Sequence, residues 1–356
     1  MALGKKKSRS LLLGGYRFIG NFGFEFAQSA KILYNGHVTA DYWHLAFMVQ
    51  FLFNLFKSIR PRQALKNLSL FAPLIFSGHL FIAKDFLTII WAIVIFSLTT
   101  SSLYLINDII DLPYDRLHPY KKNRPIAAGK IPLPVALFLA ILFIFVSLSL
   151  SFSLGFFFFL TLLIYLVLQL SYTFFLRNII IFDVLIIASG FILRVYAGSF
   201  AINVHMNVWF LLCVVSLALF LAVGKRRAEL AFLQERAPQH RKTLSFYTND
   251  LLDAYLSMFA NSTWLVYALF TFFAPPPIVG TAPLLAELPL TVAGISKWLM
   301  ATVPFVIYGI MRYMSIVYQG ERAESPEKVI LSDKPLLTTV ILWGLTVVFI
   351  LYGIRV

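Results

Sequence analysis

The sequence is poor in charge, in cysteine and in the signals that mark secreted proteins. Only 13% of its 356 residues are charged, whereas 60% are hydrophobic and the mean hydropathy is +0.82. The single cysteine, Cys213, lies inside an apolar run, which excludes a disulfide framework and a cysteine-based metal site. The basic start is followed by only a short leucine run, too short for a signal peptide. A composition this apolar excludes a soluble domain of this length.

Long apolar runs dominate the chain after residue 64. They are about twenty residues long, are separated by short polar breaks and lack alternating polarity, so they are typical of membrane-spanning helices. Residues 1–56 contain no full-length span and are predicted to be an N-terminal extension with an interfacial helix near 44–56. The membrane domain covers 57–356 and is predicted to be all-α and polytopic, with nine spans at roughly 64–83, 86–107, 131–150, 153–174, 179–202, 207–224, 250–274, 295–318 and 334–354.

The net charge of +14 is distributed unevenly over the polar breaks. Many Lys and Arg residues lie in the breaks after spans two, four, six and eight, whereas the alternate breaks hold only Lys84 and Lys297. By the positive-inside rule, the basic breaks lie in the cytoplasm. The positive charge therefore indicates topology and gives no reason to expect nucleic-acid binding.

Residues 107–130 combine carboxylates and cations between two apolar spans. Asp108, Asp111 and Asp115 stand at i, i+3 and i+7, so a continuing helix would project them from one face. Three like charges would repel, and a hard cation would relieve the repulsion. Mg²⁺ is usually held by one or two carboxylates together with substrate phosphates. We therefore predict a Mg²⁺ site formed by these three residues and by Asn107, which lies one turn before Asp111.

Basic residues follow the carboxylates at once. Arg116, His118, Lys121 and Arg124 offer several phosphate partners within one short loop, so the whole stretch predicts a metal-diphosphate site. The alternative is an ordinary cytoplasmic loop whose cations only set the orientation of the protein. That alternative explains the Lys and Arg residues but not the column of carboxylates, because charges near a membrane span are costly and generally functional.

A second charged segment begins at Lys225 and is basic. Asp250 and Asp253, which lie three residues apart beyond it, do not form a convincing second metal motif. Arg194 lies within the fifth span, where a structural partner and a ligand role are equally open. Further candidates for binding substrate are Arg60, Arg62, Lys66, Asn67, Tyr172, Arg177, Asp183, Lys225, Arg226, Glu229 and Tyr247.

The run from Asn107 to Gly129 resembles the first motif of the UbiA superfamily of intramembrane prenyltransferases. After Asp115 it is similar to the decaprenyl-phosphate phosphoribosyltransferase branch of that superfamily. Segments 60–67, 183–194, 224–230, 311–313 and 324–333 agree with the same branch, so the resemblance covers residues 57–356.

The resemblance implies a nine-helix bundle with a cavity that opens to the cytoplasm, in an enzyme of the plasma membrane. It implies Mg²⁺-dependent transfer of 5-phosphoribose from phosphoribosyl diphosphate to a polyprenyl phosphate, for the arabinose donor of the cell envelope. The carboxylates Asp108, Asp111 and Asp115, with Lys121 and Arg124, would be catalytic. Two alternatives remain open: prenyl transfer to an aromatic acceptor, and non-enzymatic transport of an anionic solute. The sequence leaves open whether the protein forms a homo-oligomer.

Overall fold

The computed structural model describes residues 40–117, 121–233, 246–273, 291–292, 295–319 and 326–353. Its α-helices are α1 (Ala40–Ile59), α2 (Phe71–Phe76), α3 (Ala83–Ile110), α4 (Leu112–Leu117), α5 (Leu133–Ser151), α6 (Phe156–Phe174), α7 (Phe182–Ala201), α8 (Val208–Leu233), α9 (Asn249–Phe273), α10 (Val303–Gln319), α11 (Pro326–Ser332) and α12 (Lys334–Val348). Shorter 3₁₀ helices cover Pro61–Leu70, Lys121–Asn123, Phe152–Leu154, Leu176–Asn178 and Trp298–Thr302, and a π-helical turn covers Phe349–Gly353. Two short antiparallel strands, β1 (Thr291–Val292) and β2 (Ile295–Ser296), pair Thr291 with Ser296.

Eight helical segments in these ranges are long and apolar enough to cross a membrane. Each overlaps one of the last eight predicted spans, so the predicted all-α, polytopic membrane class is confirmed. The longest, α3, has 28 residues. It is therefore about 42 Å long, whereas a hydrocarbon core is about 30 Å thick. Its polar C-terminal end can consequently lie outside the hydrocarbon.

The first predicted span, 64–83, differs from the others. It is not one continuous α-helix: a 3₁₀ helix leads into the six-residue α2, and the chain then turns at Ser77 and Gly78. Polar contacts hold this segment, since the Asn67 amide donates to the Ser97 hydroxyl at 2.9 Å. Together the two helical pieces rise about 29 Å, which is close to the thickness of a hydrocarbon core. The count of nine spans stays a prediction.

The 3₁₀ helix Pro61–Leu70 is long for its type. Because it has three residues per turn, every third side chain points in the same direction. Asn67 and Leu70 share one face and have no exposed surface. Leu65 and Leu68 share a second face and are 38% and 51% exposed. Lys66 belongs to the third face. Successive residues of this helix therefore meet three different environments.

The described chain divides into two compact units that are interleaved in sequence. The first comprises Met1–Pro61 and Tyr104–Leu139, and the second Arg62–Leu103 and Ala140–Val356. In the first unit, α1 covers the predicted interfacial helix and exposes Met48, Leu52 and Phe56. The interfacial position of this helix and the predicted boundary at residue 56 stay predictions.

The second unit contains most of the apolar core. α8 packs along α7 and α9, and α7 also packs against α6 and α2. Gly198 lets α7 approach the 3₁₀ helix, because a Cβ atom there would lie 2.3 Å from the Leu70 carbonyl oxygen. Three apolar clusters fill the unit, and their large buried members include Phe96, Phe158, Phe210, Phe220, Leu256, Phe270 and Tyr313.

Candidate active site

The predicted carboxylate column lies in the first unit, where α3 ends and α4 begins. The Asp111 amide donates to the Asn107 carbonyl at 2.9 Å, and the Asp115 amide donates to the Asp111 carbonyl at 2.8 Å. Helical register therefore continues through the junction between the two helices. The backbone thus has the spacing that the sequence predicted for Asp108, Asp111 and Asp115.

Arginine side chains neutralise two of these carboxylates. Arg124 Nη1 lies 2.5 Å from Asp115 Oδ2 and 3.1 Å from Asp108 Oδ1, and Arg60 donates to the same Asp108 oxygen. Asp108 and Asp115 are only 2% and 3% exposed, so these ion pairs offset a large part of the cost of burying charge. The repulsion that the sequence analysis assigned to a metal ion is relieved here by arginine.

Arg60 reaches Asp108 from a strained backbone position at the end of α1. Its φ is 55°, in the left-handed region that a side chain disfavours. Its guanidinium also lies 5.0 Å from the centroid of the Tyr104 ring, a favourable cation–π distance. The sequence could not show this pairing, because Arg60 and Asp108 are 48 residues apart.

The donor set suits magnesium, although the side chains are arranged around arginine. Three carboxylates and one amide oxygen within two helical turns are hard oxygen ligands. Among the described residues, no three His, Cys, Asp or Glu side chains converge on a metal position. Asp108 and Asp115 point to Arg60 and Arg124 instead.

The rest of the predicted diphosphate loop is more exposed. Arg116 ends α4 and Lys121 begins a 3₁₀ turn, and both side chains are exposed. The Arg124 amide donates to the Lys121 carbonyl at 2.9 Å, which fixes the approach of the arginine. His118 lies outside the described residues, and so does the side chain of Arg62.

A second ionic cluster lies in the second unit and is centred on Arg226. The Arg226 and Asp183 side chains have no exposed surface, and Nε lies 2.6 Å from Asp183 Oδ2. Arg226 also donates to Glu229 and, at 2.9 Å, to the Tyr172 hydroxyl. These contacts join α6, α7 and α8. The buried Arg226 and Asp183 side chains point toward each other. The direct substrate contacts predicted for them stay predictions.

Tyr247 closes this cluster from the segment before α9. Its hydroxyl donates to Asp183 Oδ1 and accepts from the Ile181 amide, at 2.8 and 2.9 Å. Ile181 has a φ of 70°, which is strained for a β-branched residue. Burial raises the pKa of the Tyr247 phenol well above its usual range, so the hydroxyl keeps its proton for Asp183.

Further basic residues of the second unit also have acidic partners. Lys225 Nζ lies 3.9 Å from Glu229 Oε1, and Arg227 Nε lies 2.5 Å from Asp253 Oδ1. That Asp250 and Asp253 form no second metal motif stays a prediction. Arg177 lies in the 3₁₀ turn that follows α6.

Arg194 has protein partners for all of its nitrogen atoms. Its Nε, Nη1 and Nη2 donate to Asn67 Oδ1 at 2.8 Å, to the Gly190 carbonyl at 2.6 Å and to the Tyr165 hydroxyl at 2.7 Å. This geometry favours the structural role that the sequence left open. Beside Asn67, the Lys66 ammonium lies 3.4 Å from Glu327 Oε1. The sequence did not predict this pairing.

Two cavities lie in the second unit. An apolar cavity of about 190 Å³ is lined by Phe76, Phe191, Phe210, Cys213, Phe270 and Trp343, among others. A wider cleft of about 740 Å³ is lined by Arg227, Leu230, Ala231, Tyr247, Thr248, Asn249 and Asp250. The first suits a hydrocarbon group and the second suits a polar one.

Together, the helices and charged clusters define an all-α integral membrane protein. A model of the UbiA prenyltransferase family matches residues 69–332, and the chain belongs to that family, whose members are transferases. The resemblance found in the motif is thereby confirmed.

Several relatives carry the name decaprenyl-phosphate phosphoribosyltransferase. The protein of Mycolicibacterium smegmatis is 34% identical over 294 residues, which is 81% of this chain and 89% of its own. The protein of Corynebacterium glutamicum is 32% identical over 302 residues, 84% of this chain and 86% of its own. The protein of Mycobacterium tuberculosis H37Rv is 32% identical over 82% of this chain and 92% of its own.

Solved structures share the fold. A UbiA homolog from Archaeoglobus fulgidus bound to GPP and Mg²⁺ has a TM-score of 0.59 and 18% identity, covering 85% of this chain and 100% of its own. The structure of a digeranylgeranylglyceryl phosphate synthase has a TM-score of 0.57 and 16% identity, covering 85% and 99%. At this identity the likeness establishes the fold alone.

Proposed function

We propose that this protein transfers a 5-phosphoribosyl group from phosphoribosyl diphosphate to a polyprenyl phosphate and releases diphosphate. The lipid product would enter synthesis of the arabinose donor for the cell envelope. The relatives named decaprenyl-phosphate phosphoribosyltransferase support this choice, because three of them match more than 80% of the chain at 32–34% identity.

The observation that carries the proposal is the sharing of one Asp108 oxygen by Arg60 and Arg124. Guanidinium groups bind phosphate oxygens through paired hydrogen bonds. The carboxylates that face arginine here would hold the metal ion that accompanies a diphosphate, and Arg60 and Arg124 would bind the diphosphate itself.

The residues that would hold Mg²⁺ are Asn107, Asp108, Asp111 and Asp115. When bound, the ion would neutralise charge on the diphosphate. Lys121 and Arg124 would stabilise the same group as it leaves C1 of the ribose, which is the main catalytic task. The acceptor phosphate is already anionic near pH 7, so the attack requires no strong general base.

The ion pairs of the second unit favour a sugar donor over a prenyl donor. Arg226 binds Asp183 and Arg227 binds Asp253. In the part of the chain that the structure describes, both acids are therefore paired with arginine. A donor with phosphates at both ends suits a segment, 225–242, whose net charge in the sequence is positive.

The remaining residues are assigned as substrate contacts or as their supports. We place the active site on the cytoplasmic face of the plasma membrane, within a catalytic domain over 57–356 that follows the extension 1–56. The assigned contacts are Arg60, Arg62, Lys66, Asn67, Arg116, His118, Tyr172, Arg177, Asp183, Lys225, Arg226, Glu229 and Tyr247.

Reconstitution tests the proposal directly. Purified protein with Mg²⁺, phosphoribosyl diphosphate and polyprenyl phosphates of several lengths should give a phosphoribosylated lipid in mass spectrometry. Removal of Mg²⁺ with EDTA should stop turnover. Asp111→Ala should abolish turnover in a folded protein, whereas Asp85→Asn, at the other end of α3, should leave it unchanged.

The same preparation separates the rival reaction. With a prenyl diphosphate and 4-hydroxybenzoate in place of the proposed substrates, we expect no prenylated product. Prenylation of the aromatic acceptor, with no phosphoribosylated lipid from any polyprenyl phosphate, would refute the proposal.

A further inference from the structure

A buried carboxylate in α11 lacks the hydrogen bonds that such a group requires. The Glu327 side chain is 11% exposed, and neither of its oxygens has a hydrogen-bond partner among the described residues. Tyr313 in α10 is 3% exposed, and its hydroxyl also lacks a partner there. The helices α10 and α11 pack against each other, and Tyr313 shares an apolar cluster with Val329, two residues after Glu327. Buried polar atoms without partners are rare in folded proteins and call for a physical explanation.

Lys66 balances the charge of Glu327 without satisfying its lone pairs. The ammonium lies 3.4 Å from Oε1, whereas a hydrogen bond between such groups is about 2.7–2.9 Å long. An ionised carboxylate offers about four lone-pair positions. Most of the hydrogen-bond capacity of Glu327 is therefore still available to a donor.

The Glu327 subsite, defined as Lys66, Tyr313 and Glu327, lies beside residues already assigned to substrate. A Cβ atom at Gly224 would be 2.7 Å from the Tyr313 ring and 2.9 Å from its hydroxyl. Only glycine lets the phenol lie this close to α8, directly before Lys225. On its other side, Lys66 is followed by Asn67, which accepts from Arg194.

The chemistry of these three groups selects the ligand. A buried carboxylate needs a hydrogen-bond donor. A phosphate near pH 7 presents mainly negatively charged acceptor oxygens, and an isoprenoid chain offers no polar hydrogen. A sugar hydroxyl donates to the carboxylate and can also accept from the phenol.

We infer that the Glu327 subsite binds hydroxyl groups of the pentose, with Glu327 accepting from a ribose hydroxyl and Tyr313 bonding to it or to its neighbour. The inference rests on the proposed phosphoribosyl transfer and names the part of the donor that these residues recognise. Lys66 holds the carboxylate in place through their ion pair.

Donors that lack one hydroxyl test the inference. Initial rates are measured with phosphoribosyl diphosphate and with its 2-deoxy and 3-deoxy analogues, for the wild type and for Glu327→Ala, Glu327→Gln and Tyr313→Phe. The quantity compared is the ratio of kcat/KM between natural and deoxy donor. The intrinsic reactivity of each donor cancels when this ratio is compared between variants.

For one of the two analogues, we expect the ratio to be about ten- to a hundred-fold larger in the wild type than in Glu327→Ala. This factor corresponds to the loss of one hydrogen bond to a charged group. Glu327→Gln keeps an acceptor oxygen and should recover part of the ratio. Tyr313→Phe should lower it, whereas Tyr308→Phe, an exposed tyrosine on the same helix, should leave it unchanged.

Each result has a distinct meaning. If Glu327→Ala and Glu327→Gln slow both donors by the same factor, the group is only structural and the inference is wrong. The inference also fails if the wild type and Tyr313→Phe have the same ratio with both analogues. Formation of product from the natural donor in that case leaves the proposed function standing, whereas absence of product in the wild type refutes the proposed function itself.

Discussion

Replacement of Arg226 by methionine would leave the Asp183 carboxylate buried without its cation. Both side chains have no exposed surface, so water cannot replace the lost partner. Glu229 is 20% exposed and can be hydrated. Among the described side chains, Asp183 would keep the Tyr247 hydroxyl alone as a partner. Removal of one partner from a buried ion pair costs about 3–5 kcal/mol. We expect the free energy of unfolding of Arg226→Met to fall by that amount.

A double-mutant cycle tests whether Arg226 and Asp183 stabilise the fold as a pair. In the wild-type background Asp183→Asn should lower the free energy of unfolding, because Arg226 loses a partner. In the Arg226→Met background the same change should raise it by about 2 kcal/mol, because it removes an uncompensated buried charge. Unfolding by SDS titration in detergent micelles, followed by circular dichroism, measures all four proteins. A destabilisation of equal size in both backgrounds would refute the buried-pair argument.

Two further predictions concern packing and pH. Gly198→Ala should lower the free energy of unfolding by about 1–3 kcal/mol, because the added methyl group clashes with Leu70. Gly344 has open space around it, so Gly344→Ala should raise the free energy of unfolding by about 0.5–1 kcal/mol. Equal effects of the two changes in thermal unfolding would contradict this prediction. Hydrogen bonds from Arg312 hold the pKa of Asp333 below its ordinary value. The stabilisation from this pair is therefore fully present above the unfolded-state pKa and is lost as the pH falls through the folded-state pKa. Asp333→Asn should have a lower free energy of unfolding than the wild type at neutral pH and the same one in strong acid.

Patterns along the chain predicted those features that depend on neighbouring residues. Apolar runs predicted the membrane class, and the i, i+3, i+7 spacing predicted the alignment of Asp108, Asp111 and Asp115 at the end of α3. The partner of Asp108 was not predictable in this way, because Arg60 is 48 residues distant and its approach depends on a left-handed backbone angle. Electrostatic repulsion alone does not distinguish a metal ion from an arginine.

The basic segment after Gly224 shows the same limit. Its positive charge was evident in the sequence, but the sequence did not show which acids neutralise it. Arg226 pairs with Asp183 and Arg227 with Asp253, both through contacts between different helices. Tertiary packing therefore decides which cations of this segment remain available to phosphate.

The three-residue repeat of the 3₁₀ helix Pro61–Leu70 makes this segment unusually sensitive to changes in length. One inserted residue before Lys66 would turn everything beyond it by about 120°. The exposed leucines Leu65 and Leu68, the Lys66 ammonium and the buried amide of Asn67 would then each point in the direction that an adjacent residue has now. Three inserted residues would leave every side chain pointing in its original direction and would only lengthen the helix by one turn. Natural variation in the length of this segment should therefore occur in steps of three.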